Sequence, residues 1–136
     1  MSAVTELIRT ESDGRLSFGN HELKEKAKKE DFEKGGNLYK VKTFCEMTKL
    51  ERDGMLVYES VPGTSVNNFE ITKDSVIFTV CGNEDAMITL DLAEETEYEI
   101  FVGGKSHGKM KSNLAGKLNI SVELAGEGEI EIKITE

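Results

Sequence analysis

The sequence has no tryptophan, one proline, two cysteines and two histidines in 136 residues. Each shortage excludes something. Without tryptophan there is no indole platform for sugar rings, and with Pro62 alone no proline-rich linker divides the chain. Cys45 and Cys81 form no Cys-x-x-Cys pair and His21 and His107 no His-x-x-x-His pair, so no metal site is expected. The thiols are expected to be reduced and packed as small hydrophobes, and both histidines to be ordinary exposed side chains. No apolar run reaches the roughly 18 residues of a membrane-spanning helix. The opening Met-Ser-Ala-Val-Thr-Glu lacks a basic stretch followed by an apolar one, so no secretory signal and a cytoplasmic location are expected.

Acidic residues outnumber basic ones 26 to 17, for a net charge of −9. The imbalance is lopsided: residues 1–60 carry net −1 and residues 61–136 carry net −8. Binding to a polyanion needs lysine and arginine to displace counterions, so neither nucleic acid nor an anionic membrane is an expected partner. The densest basic stretch, Lys24 to Lys34, is interleaved with Glu25, Glu30, Asp31 and Glu33, which makes it a solvated face rather than a patch.

What the chain does have is period-two alternation from residue 38 onward. Leu38 to Phe44 reads as a strand with Tyr39, Val41 and Thr43 on one side. Met47 to Ser60 reads as a hairpin turning at Arg52-Asp53-Gly54. Val76, Phe78 and Val80 alternate with Ile77, Thr79 and Cys81, so both faces look apolar and a central strand is expected. Gly103 to Gly108 reads as a glycine-rich hairpin connection carrying His107. Ile130, Ile132 and Ile134 alternate with Glu129, Glu131 and Lys133 in a half-buried last strand. Glu22 to Phe32 fits one helical turn or a polar edge strand paired across Gly35-Gly36, with the strand hairpin favoured. Short strands with regularly spaced turns define a single all-β domain over residues 1–136, an antiparallel β-sandwich or flattened barrel.

The chemistry-bearing residues form no catalytic constellation. Gly104-Lys105-Ser106 imitates a phosphate loop, but the earlier glycine is replaced by Glu99 and a strand follows instead of a helix. There is no G-x-S-x-G elbow, and nothing selects two acids from 26 for glycoside hydrolysis. No catalytic residue and no cofactor is therefore expected. The most distinctive stretch, Tyr58 to Phe69, reads as a loop combining an aromatic ring with hydroxyls and amides. Tyr58, Thr64, Asn67 and Asn68 are its candidate binding residues for a sugar or peptide.

Two resemblances add to this reading. Tyr98 to Val122 resembles the β-hairpin pattern of bacterial β-sandwich accessory domains that cap polysaccharide-degrading enzymes, with Gly103 where Asp or Asn is usual. Glu6-Leu-Ile-Arg-Thr-Glu, Leu38-Tyr-Lys-Val-Lys-Thr-Phe and Val57-Tyr-Glu-Ser-Val-Pro-Gly-Thr resemble small acidic clostridial proteins labelled endosialidase or endosialidase chaperone. That resemblance implies a carbohydrate-binding or sialic-acid-related protein. The residues themselves lead to a non-catalytic binding or assembly module with a carbohydrate or protein partner. A homo-oligomer is also expected, because one small sandwich covers only one face of each sheet.

Overall fold

The alternation resolves into thirteen strands and, among residues 3–136, which the computed structural model describes, no helix. They are β1 (Ile8–Thr10), β2 (Leu16–Phe18), β3 (Ala27–Lys34), β4 (Asn37–Phe44), β5 (Met47–Arg52), β6 (Met55–Val61) and β7 (Ser65–Ile71), followed by β8 (Ser75–Cys81), β9 (Ala86–Asp91), β10 (Glu97–Val102), β11 (Lys105–Lys111), β12 (Lys117–Val122) and β13 (Ile130–Thr135). One sheet runs β1-β2-β7-β8-β13-β10-β11 and the other β12-β9-β6-β5-β4-β3, every pairing antiparallel. The sheets pack face to face without closing, so of the two expected architectures the molecule adopts the sandwich and not the barrel.

Alternate side chains meet between the sheets, as strand geometry requires. Val41, Leu50, Ile88 and Leu90 from one sheet, with Val66, Phe78, Ile132 and Ile134 from the other, are at most 2% exposed and belong to one continuous core. Burying each of these contributes about 1.5–3 kcal/mol. Phe18, Tyr58, Phe69 and Phe78 form an edge-to-face cluster at the centre, with Phe18 and Tyr58 centroids 5.2 Å apart and Tyr58 and Phe78 5.8 Å apart.

The hairpin at Asp53-Gly54 forms as its sequence dictates. Both residues take positive φ, 52° and 82°, the geometry that suits the right-handed twist of the flanking strands. The β8 strand is central, between β7 and β13. Its outward Ile77 is only half-buried, and Lys133 stands in register between Ile77 and Phe101 on the outer face.

Four expectations need correction. Residues 58–69 are not a loop: β6 runs to Val61, the chain turns at Pro62-Gly63-Thr64, and β7 starts at Ser65. Lys105 to Gly108 belong to β11, so the connection there is only Gly103-Gly104, and His107 lies on a strand. Cys45 is exposed, because it sits in the tight β4–β5 turn where no core is within reach, whereas Cys81 is buried. His21 is buried at 7% exposure by hydrogen bonds described below. The favoured strand hairpin at 22–32 does form, though its strand begins only at Ala27.

Candidate functional site

The two ends of the sandwich are built differently. At one end, where β4 turns into β5 and β6 leads to β7, the residues after β2 fold in as a plug. Thr64 is its hub. Its Oγ1 lies 2.7 Å from the Tyr58 hydroxyl and 2.8 Å from Ser60 Oγ. Its carbonyl accepts from Thr48 Oγ1 at 2.7 Å, and Thr48 Oγ1 in turn lies 2.8 Å from Thr43 Oγ1. Thr43, Thr48, Tyr58, Ser60 and Thr64 are all completely buried. Burial pushes the Tyr58 phenol well above its ordinary range, so it stays protonated. Beside this network the His21 ring shares a 2.7 Å Nδ1–Oγ hydrogen bond with Ser65, and burial lowers the imidazole's pKa and holds it neutral.

Backbone fit is equally tight here. A Cβ on Gly63 would lie 1.9 Å from the Phe44 carbonyl oxygen, and one on Gly19 2.6 Å from the Thr64 carbonyl oxygen. Two of the sequence-derived candidates, Tyr58 and Thr64, therefore sit inside the sandwich and satisfy each other. Asn68 occupies a bulge of β7 with φ 57°, a conformation asparagine tolerates, and its backbone N–H donates to Ser17 Oγ at 3.1 Å. Asn67 is half-buried on the same strand. The structure brings Tyr58 and Thr64 together, but not with the two asparagines as one surface.

At the opposite end of β4 and β5 lies a cleft. It has a volume of about 220 Å³ and is lined by Asp13, Arg15, Lys34, Tyr39, Arg52, Phe69, Glu70 and Ile71, among others. Strand phase places its cations. Thr48 and Leu50 of β5 face the core, so Arg52 falls on the same face, paired in register with the inward Tyr39. Lys34 is likewise in phase with the half-buried Phe32 of β3, which packs on the core. Lys34 and Arg52 thus share the strand phase of the inward residues at the ends of β3 and β5, where Lys34 is half-buried and Arg52 exposed.

Their charges are not spent within the protein. Among the described residues neither Lys34 nor Arg52 has an ion-pair or side-chain hydrogen-bond partner. The acids flanking Arg52 are engaged elsewhere. Asp53 Oδ1 accepts from the Leu38 amide at 2.9 Å, and Glu51 pairs with Lys49 at 3.4 Å. Arg15 differs: Asp13 grips it through two contacts of 2.7 and 2.8 Å and accepts from its amide at 3.0 Å. These bonds to Arg15 hold the Asp13 carboxyl below its usual range. The ring of Tyr39 is buried, while its hydroxyl has no protein partner and reaches solvent.

A second concavity of about 210 Å³ lies along the edge strands β11 and β12, with Met87, Ile100, His107, Met110 and Ile120 around it. It carries no carboxylate and no lysine or arginine. No group of three or more metal-ligating side chains occurs among the described residues.

Residue patterns contained a signal for the cationic cleft that reading by motif missed. Thr48-Leu50-Arg52 continues a core-facing alternation into a cation, but Arg52 next to Asp53-Gly54 reads as turn. Comparison with family models, with curated proteins and with solved structures returns no match.

Proposed function

We propose that the chain is a non-catalytic binding module whose ligand site is the cleft at the open end of the sandwich. The observation that carries this is the convergence of Arg52 and Lys34, both without an acidic partner, on one concavity of a chain with net charge −9. Arg52 is exposed and Lys34 half-buried where they line the cleft, so both are within reach of an external counter-charge. Binding rather than catalysis is supported by the state of the groups present. Asp13 is held ionised by Arg15, and the His21–Ser65 pair is buried in the opposite end, away from the cleft.

The test is an amide-resolved titration with a panel of small molecules that includes carboxylates, phosphate, amines, neutral sugars and acidic sugars such as sialic acid. Shifts clustered on residues 13–16, 34–39, 52–57 and 69–71 are the expected result. A panel that perturbs only the β11–β12 groove, or nothing, overturns the proposal. The carbohydrate reading is one arm of the same panel. It gains little from aromatic stacking, because Tyr39 and Phe69, the aromatic residues lining the cleft, are 8% and 5% exposed.

An assembly role is the second reading, favoured by Met87 and Met110, 46% and 41% exposed beside two unpaired sheet edges. Sedimentation at micromolar concentration in 0.15 M salt decides it: a single species at 15.1 kDa removes that reading.

A further inference from the structure

Resting on the binding reading above, we infer that the open-end cleft takes a small organic molecule bearing one carboxylate, held between Arg52 and Lys34 with the Tyr39 hydroxyl as a further hydrogen-bonding group. The number of charges follows from the cleft itself. Arg15, Lys34 and Arg52 bring three positive charges and Asp13 and Glu70 two negative ones, which leaves a single positive charge uncompensated. A monoanion completes that balance, whereas a dianion overshoots it beside two fixed carboxylates. Arg15 is already occupied by Asp13, so the anion falls to the other two cations.

The type of cation points the same way. A planar guanidinium presents paired donors that match the two oxygens of a carboxylate, and such charge-assisted pairs are among the stronger hydrogen bonds. Lys34 on its own has another explanation, since β3 is an edge strand and inward lysines guard edges against pairing. Arg52 has no such explanation: β5 lies between β4 and β6, with no free edge to guard. Size sets the remaining limit. A volume of about 220 Å³ corresponds to roughly seven water-sized groups, which admits a small hydroxy acid or a single sugar acid and not a chain of residues.

Matched pairs differing only in the charged group test this. Lactate is compared with lactamide, and glucuronate with glucose, with inorganic phosphate as a third arm, by calorimetry and amide shifts on the full chain. A ligand this small is expected to bind at about millimolar affinity. The neutral counterpart should bind at least about tenfold more weakly, and Arg52→Ala should cost about tenfold or more. Arg52→Lys should fall between wild type and alanine, because it keeps the charge and loses the paired donors. Since Arg52 has no protein partner, the variants should keep the wild-type circular dichroism spectrum. Lactamide or glucose binding as tightly as its acid overturns the carboxylate assignment and leaves the binding proposal standing. Phosphate binding more tightly than both acids also overturns it. Open-end amides that respond to no probe of either panel overturn both.

Discussion

The closed and open ends of this sandwich use the same kinds of residue to opposite effect. At the closed end every buried hydroxyl has a partner: Thr64 alone serves Tyr58, Ser60 and Thr48. At the open end a hydroxyl and two cations, Tyr39, Lys34 and Arg52, face a cleft without partners. Both ends continue the same strands, β4 and β5 running from one to the other. Fold alone therefore does not explain the contrast. Saturated polar groups rigidify, while unsaturated ones at a solvent-facing cleft are free to bind.

The largest effect that could break this comparison is steric. Gly63→Ala places a Cβ against the Phe44 carbonyl oxygen and is expected to cost about 3 kcal/mol, read from urea unfolding. Gly36→Ala at the open end meets nothing within 4 Å and pays only for its positive φ of 84°, about 1 kcal/mol. Equal losses would mean that the two ends do not differ in rigidity. Next comes the hydroxyl hub. Thr64→Val keeps the shape and removes the hydroxyl that Tyr58 and Ser60 share, at an expected cost of about 1–3 kcal/mol. Adding Tyr58→Phe to that variant should cost less than Tyr58→Phe in the wild type, a coupling that a double-mutant cycle measures.

A smaller effect is expected from pH. The folded state lowers the His21 pKa, so between that value and the unfolded value near 6.5 the unfolded chain binds more protons. The stability contributed by a neutral His21 is therefore complete above about pH 6.5 and declines as pH falls below it. Unfolding free energies at pH 7.5 and 5.5 should differ more in the wild type than in His21→Asn. Similar pH dependence in both would show that the imidazole is not held neutral by the closed end.

How much of this could be read from the sequence depended on whether the signal was local. The hairpin at Asp53-Gly54, the central β8 and the half-buried β13 follow from turn chemistry and alternation, and they formed as expected. The β-sandwich followed too, but the choice against a barrel depends on whether edge strands meet, which no short window of sequence carries. Tyr58 and Thr64 were visible as a hydroxyl-rich pair, yet six residues of chain do not say whether the pair points to solvent or into a core. Only the facing strands, which bring Thr48 and Thr43 to them, make it interior. The burial of His21 is hidden from the sequence for the same reason: Ser65, its partner, is 44 residues away. The cleft was the least legible feature, because Arg15, Lys34 and Arg52 lie on three different hairpins that only the packed sheets bring together.

Arg52→Ala is the most direct test of the two-ended account, with urea unfolding measured once alone and once in an excess of lactate. Without ligand the variant should unfold within about 0.5 kcal/mol of wild type, since Arg52 holds nothing in the protein. With lactate at ten times its dissociation constant the wild type should gain about 1.4 kcal/mol, and the variant much less. A variant strongly destabilised without ligand, or one stabilised by lactate as fully as the wild type, would contradict the claim that the open end is built to bind.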